Sequence, residues 1–391
     1  MTKQVQINRV GGPITRQTIL FLPVTIRMCL LRLCFTKPKT LIGIAISNTT
    51  LSLVELNYKN KRYHLLSYGL TALSEGEVID NQIIDSEQMG QHIAALIAQL
   101  KCTTKKAVIA LGANLVITRE IELPTDFSEQ DIDAQIRIDA DQYIPYPLSE
   151  VDLDFAILGR SLVQADHNKI LLVISRSEHI EQHSDTLVFA GLKPSVIDTE
   201  PEARQRAFQF LSSHNTEFLG TTAWVDIGQT RLTIYIAVKG EFVYHLEQLF
   251  GDSHLVHAIA THYNLSAADA EQIKLDPQLL GSQCLMDYDL VTFQPFIQSL
   301  VDYIKVSFEQ YIAISPDKAV EQIILSGDAA GLPQLDKSLQ HQMGLPVTLA
   351  NPFLSIPLSH SIDEEQLFKD APQLMTACGL AMRSRTMTQI Y

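Results

Sequence analysis

The chain has 391 residues, of which 46% are hydrophobic and 19% charged, enough apolar matter for two cores of ordinary size and too much for a disordered chain. Its formal net charge of −14 is unevenly spread: residues 1–38 hold Lys3, Arg9, Arg16, Arg27, Arg32 and Lys37 and no acid, so the rest carries 24 basic against 44 acidic residues. A body this acidic repels nucleic acid and anionic lipid, which excludes both as direct partners of that body.

The basic leader contains an apolar stretch, residues 18–35, interrupted by Pro23, Arg27 and Arg32. Its longest uncharged run, Thr18 to Ile26, is well short of the roughly 20 residues that a spanning helix needs. Three readings stay open for it: an upstream extension of the reading frame with Met28 as the start, an interfacial amphipathic segment, or a disordered arm. Strands are then predicted at 41–47, 51–56 and 62–70, a helix over 86–100 and a strand at 106–111. A smaller β-α-β-β-α-β module follows: strands at 115–122, 151–158, 169–175 and 193–198, with helices at 128–143, capped by Ser128, and 179–190. Tyr143, Ile144, Pro145, Tyr146 and Pro147 make a rigid apolar corner, either a groove wall or a helix stop packed in a core. The second half starts with a hairpin from Trp224 and a strand at 241–249. A mainly helical stretch over 253–314, a strand at 322–326, a loop region marked by Pro346, Pro352 and Pro357, and a last helix over 370–382 complete it.

Cysteine use points to a reducing compartment, since Cys29, Cys34, Cys102, Cys284 and Cys378 are odd in number and form no CxxC. His179 and His183 fall at helical i, i+4 spacing but lack a third ligand nearby in sequence, so a metal site there is disfavoured.

One pattern occurs twice. Residues 41–56 read LIGIAISNTTLSLVEL and residues 223–238 read AWVDIGQTRLTIYIAV, each an apolar strand, a small polar turn and a second apolar strand. Glycine lets backbone N–H groups approach an anion, hydroxyls add donors, and an Asp at a strand end can hold a hydrated metal ion. Alone, either copy is also what any antiparallel pair looks like. A third segment, VEQIILSGDAAGLPQL over 320–335, runs from a strand through a small-residue turn into a helix start, an arrangement that packs backbone against a nucleoside.

With these segments in order, the chain resembles the actin-like ATPase superfamily and, within it, the type IV pilus assembly PilM proteins, from about Pro38 to Arg383. More specific pieces are EGEVIDNQIID at 75–85, ITREIELP at 117–124, DADQYIPYPLSEVDLDFAILG at 139–159, LLVISRSEHI at 171–180, GLKPSVIDTEPEA at 191–203 and LSAADAEQIK at 265–274. The resemblance implies an α/β, actin-like (ribonuclease H-like) two-lobed fold with an FtsA-type inserted subdomain. The first domain is then 39–114 plus 199–220 and 371–384, the insertion 115–198, the second domain 221–252 plus 319–370 and its helical subdomain 253–318, with 1–38 outside the native fold. ATP and Mg are the implied ligands. Gly43, Ser47, Asn48, Thr49 and Thr50 match the first phosphate loop, Asp226, Gly228, Gln229 and Thr230 the second, and Gly327, Asp328, Ala329 and Ala330 the adenosine turn. Glu271 and Lys274 match positions that approach the ribose or purine, Glu200 resembles an element that orients water, and Asp226 would hold Mg through water, so that Glu200 and Asp226 are the candidate catalytic pair. Plainer accounts stand beside these: Asp226 as a turn cap, Glu271 and Lys274 as a solvated helix face, and Glu200 as the opening acid of a helix.

The first loop departs from the family pattern GIDIGSSSVK. Ala45 replaces its Asp, Ser47 a Gly and Ser52 a Lys, and Asp328 stands where relatives often carry a second Gly. Losing one charged phosphate contact costs on the order of 1.5–3 kcal/mol, so efficient hydrolysis is not expected. The resemblance implies a cytoplasmic scaffold at the inner face of the inner membrane, tethered there indirectly through partners. In such proteins the inserted module and first domain form a groove for the N-terminal cytoplasmic peptide of PilN, here with Tyr143, Ile144, Pro145 and Tyr146 as candidate lining. The scaffold then links the assembly platform to motor proteins, as a monomer or homo-oligomer, with ATP as a conformational regulator. Two other readings are a slow actin-like ATPase and an FtsA-like filament former. Against the second, residues 384–391 are too short and polar for a membrane helix.

Overall fold

The computed structural model describes residues 40–161, 163–215, 220–281, 284–315 and 318–384. The basic leader with its apolar stretch, Cys29 and Cys34, and the tail from 385 lie outside the described residues. The chain opens with an antiparallel meander, β1 (Thr40–Ile46), β2 (Thr50–Lys59) and β3 (Arg62–Ala72), and a two-residue-per-strand hairpin, β4 (Val78–Ile79) and β5 (Gln82–Ile83). Helix α1 (Ser86–Leu100) begins where the Asp85 side chain accepts from the Glu87 and Gln88 N–H groups and buries Met89, Ile93, Leu96 and Ile97 on one face. It stops at Lys101, whose φ of 54° is left-handed, before β6 (Lys106–Leu111).

The insertion comprises β7 (Val116–Pro124), α2 (Glu129–Ile138), β8 (Val151–Arg160), β9 (His167–Arg176) and α3 (Ser177–Phe189). The expected helix over 128–143 is broken. The Ser128 and Asp131 capping box starts α2, Asp139 leaves helical geometry, and a separate short turn, Ala140–Tyr143, ends at Ile144, which is extended as a residue before proline must be. The module is also smaller than the β-α-β-β-α-β reading. Its sheet has the order β7-β9-β8, while the next strand, β10 (Lys193–Thr199), pairs in parallel with β6 in the first lobe.

Helix α4 (Glu200–His214) leads into the second lobe: β11 (Thr221–Ile227), β12 (Leu232–Val238), β13 (Glu241–Gln248), α5 (Ser253–Tyr263), α6 (Ala267–Leu275), α7 (Gln294–Ile314), β14 (Gln322–Ser326), α8 (Leu335–Met343), β15 (Val347–Leu349), α9 (Glu364–Asp370) and α10 (Met375–Ala381). The large sheets have the same topology. In the first, β10-β6-β1-β2-β3, and in the second, β13-β12-β11-β14-β15, a three-strand meander is continued through its first strand by two parallel strands. Two lobes of one design therefore face each other.

One close helix crossing organises the first lobe, and one shared core joins it to the second. Helix α10 crosses β1 so closely that a Cβ on Gly43 would sit 2.0 Å from the Ala377 carbonyl oxygen, and one on Gly379 would sit 1.9 Å from that of Ala203. Ala207, Phe208 and Leu211 of α4 share a core with Trp224, Tyr235 and Ile324 of the second sheet, where Phe208 stacks on Trp224 with centroids 5.3 Å apart.

Candidate functional site

The paired meanders bring their turns to one cleft. Thr49, in the β1–β2 turn, donates through its hydroxyl to Asp328 Oδ2 at 3.3 Å. Asp328 belongs to a turn stitched to the second meander, since the Ala329 N–H donates to the Ile227 carbonyl at 3.1 Å, immediately ahead of Gly228. Gly327 permits that approach: its φ is +92°, and a Cβ there would meet the Ile227 carbonyl oxygen at 2.5 Å. Its N–H reaches the Pro372 carbonyl at 3.1 Å, tying the turn to the segment before α10.

The first turn is closed on itself. The Ser47 hydroxyl accepts from the Thr50 N–H at 3.0 Å and the Thr49 N–H at 3.4 Å, and donates to the Thr50 carbonyl at 3.3 Å. The donors that a glycine in this place would leave facing the cleft are thus turned inward. Asn48 accepts the Asn81 N–H at 3.2 Å, and Thr50 already opens β2. Gly43 stands outside this turn: it sits mid-strand and serves the crossing of α10, so the reading of it as a phosphate-loop residue is corrected. Ser52, in the place of the family lysine, is buried and donates to the Ala45 carbonyl.

In the second turn the Gly228 N–H donates to the Arg231 carbonyl at 2.9 Å, and the Gly228 and Gln229 carbonyls accept from Asp252 and Ser253 at the start of α5. Thr230 is exposed, and Gly251 packs against the turn with no room for a Cβ. Asp226, next to the turn, is 7% exposed and accepts from Ser326 at 2.6 Å, while the Trp224 indole donates to that same serine hydroxyl. Arg204 of α4 lies 3.7 Å from Asp226 and 3.3 Å from Glu200. Burial works against the charged guanidinium, but Asp226 and Glu200 outweigh it and raise its pKa. Glu200 is raised by burial, with Asp226 adding to the effect.

Lys274 is 7% exposed and meets Asp252 and Glu271, each at 2.6 Å, so Lys274 is no solvated side chain, while the Glu271 side chain stays 41% exposed. Asp252 is raised by its burial in spite of Lys274, and its Oδ1 has no hydrogen-bond partner. Burial first, and then Asp252 and Asp226, push the Asp328 carboxyl up to about 7. Ala329 and Ala330 are buried against the second-lobe core. For a metal the donors do not assemble: Asp226 is engaged by Ser326 and Arg204, and among the described residues no group of three or more His, Cys, Asp or Glu side chains could hold an ion. His183 is a core residue whose Nδ1 donates to the His179 carbonyl at 2.8 Å, and burial pushes it down to about 4.

The apolar corner divides. Ile144 is buried in the core of the insertion and Tyr143 is half-buried against it, whereas Pro145 and Tyr146 are exposed, with Arg176 5.7 Å from the Tyr146 ring centroid. A charged seam missed in the sequence lies elsewhere. Arg206 and Arg383 each reach Asp198 at 3.0 Å. Asp154 of β8 is close enough for Arg383 and Asp198 to act on it, and burial pushes its carboxyl up to about 6. Glu202 of α4 is raised by burial and feels the same three charges. Only the i, i+4 spacing of Glu200 to Arg204 and of Glu202 to Arg206 could have hinted at these pairs.

The type IV pilus assembly protein PilM family matches residues 43–385. The chain belongs to the PilM family. Its fold is similar to that of a PilM–PilN type IV pilus biogenesis complex, with a TM-score of 0.73 and 22% identity over 89% of this chain and 99% of that one. It is also similar to the ethanolamine utilization protein EutJ from Carboxydothermus hydrogenoformans, with a TM-score of 0.52 and 17% identity over 92% and 97% of the two chains. This PilM-family chain therefore has the actin-like α/β fold in two lobes, and its setting is type IV pilus assembly. Among its described residues no helix is long and apolar enough to cross a membrane.

Proposed function

We propose that this PilM-family protein is a cytoplasmic scaffold that binds the N-terminal cytoplasmic peptide of a PilN partner and so links the inner-membrane platform to the pilus motor. The observation that carries this reading is the family match over residues 43–385, supported by the fold likeness to a chain that assembles with PilN. The peptide lies along the seam between the inserted sheet and the first lobe, where burial raises the Asp154 and Glu202 carboxyls and Arg206 and Arg383 are paired with Asp198, so that a cationic peptide residue would give those two carboxyls a partner. Membrane association is indirect, through the partner. Turnover of ATP is not part of the role: Glu200 is held by Arg204 rather than free to orient a water, and Asp226 is spent on Ser326 and Arg204. Titration calorimetry with a synthetic PilN N-terminal peptide tests the proposal. One-to-one binding that weakens at least fivefold in Asp154→Asn is the expected result, and no binding to the wild type overturns the scaffold reading.

A further inference from the structure

ATP as regulator requires donors between the turns that are free to take phosphate, and the amides at Thr49 and Thr50 and the cations Lys274 and Arg204 are already committed to other groups. The Thr49 and Thr50 N–H groups point to Ser47, Lys274 is held by Asp252 and Glu271, and Arg204 is held by Glu200 and Asp226. The Thr49 hydroxyl is the exception among the first-turn donors in reaching across to the other lobe, and what it meets there is the Asp328 carboxylate. The turn that carries Asp328 is fixed at both ends, by Ala329 on Ile227 and by Gly327 on Pro372, so its side chain is presented to the first lobe by rigid backbone.

We propose that Asp328 is a built-in stand-in for a phosphate group: its carboxylate takes the threonine hydroxyl that a nucleotide phosphate would take, and the two lobes of this protein close on each other without a nucleotide. An entering triphosphate has to displace Asp328 and then lies among Asp226 and Asp252, with Lys274 and Arg204 already paired to carboxylates. The raised pKa of Asp328 fits this setting, because a carboxyl that holds its proton part of the time near neutrality can pair with the Thr49 hydroxyl in either direction. The inference does not depend on the peptide-binding reading, since it is tested without a partner.

Hydrogen exchange of the full chain without nucleotide, read at residues 47–50 and 327–330, tests closure. Asp328→Gly and Thr49→Val each remove one side of the contact and are expected to speed exchange at both turns at least fivefold, leaving α1 unchanged. Asp328→Asn, which still pairs with a hydroxyl, is expected to stay within twofold of wild type. In calorimetry with Mg-ATP as the probe, Asp328→Gly is expected to bind at least tenfold more tightly than wild type. Unchanged exchange at both turns in the two disrupting variants overturns the proposal. So does wild-type binding of Mg-ATP that Asp328→Gly does not strengthen. If Asp328→Gly fails to fold, Thr49→Val decides the closure claim alone, through the exchange at 327–330.

Discussion

Replacing Asp328 with Asn removes one ionisable group from the cleft, and the pH dependence of the effect follows from its surroundings. The groups that face it are Asp226 on β11, Asp252 ahead of α5, Lys274 on α6 and the Thr49 hydroxyl. Burial and the two aspartates raise its carboxyl from 3.8 to about 7, so the folded protein holds this proton more tightly than the unfolded chain does. With respect to this group, stability is greatest below pH 4, falls as the pH rises from about 4 to 7, and carries the full penalty above 7. The limiting penalty is about 4 kcal/mol, and partial exposure at the cleft mouth reduces it to roughly 2 kcal/mol. Asn carries no such penalty. The stability of Asp328→Asn relative to wild type is therefore expected to improve by about 1–2 kcal/mol between pH 5 and pH 8. Urea unfolding at both pH values measures this, followed by the fluorescence of Trp224, the chain's single tryptophan, which is fully buried between the lobes. A difference between variant and wild type that is flat or shrinks as the pH rises refutes the reasoning.

Gly43→Ala is expected to cost about 3 kcal/mol or more, because the new Cβ meets backbone atoms of Ala377 and Ala381 that move only if α10 moves; a lowered urea midpoint checks it. Arg204→Met leaves Glu200 and Asp226 buried and unpaired, a loss of about 3–5 kcal/mol, and a double variant with Asp226→Asn should recover part of it. Glu55 is 1% exposed and accepts from the Thr103 N–H and hydroxyl, the Thr104 N–H and Ser67. Glu55→Ala is expected to cost about 3 kcal/mol and to speed amide exchange at Thr103 and Thr104.

The repeated strand, turn and strand pattern was legible because both meanders have buried central strands, whose continuous apolar runs are bounded by short polar turns. Helix α1 was legible to the residue, since an aspartate cap and a clean apolar face mark it. The sequence marks a strand over 193–198, one residue short of β10, but nothing in its letters states whether it pairs with β6 or with the insertion, and it belongs to the first lobe's sheet. Gly43 was misread for a related reason: a glycine before a polar turn looks like part of the turn, and only the helix lying over β1 reveals that it serves packing. Ile144 and Tyr146 differ by two positions, yet one is buried and the other exposed, a consequence of how the corner docks rather than of composition.

What the amino-acid order settled by itself is the local material: alternating strands and helices, two meanders of one kind, a turn with Asp328 in place of a small residue, and a first loop stripped of its Asp and Lys. The strands, helices and meanders follow from periodicity and turn chemistry, which act over a few residues, whereas the departures at Asp328 and in the first loop are read against the family pattern that the chain resembles. Tertiary structure decided which charges meet. Arg204 with Asp226, Lys274 with Asp252 and Thr49 with Asp328 are 22 to 279 positions apart, and such pairs exist only once two sheets and a crossing helix have brought their ends to one cleft.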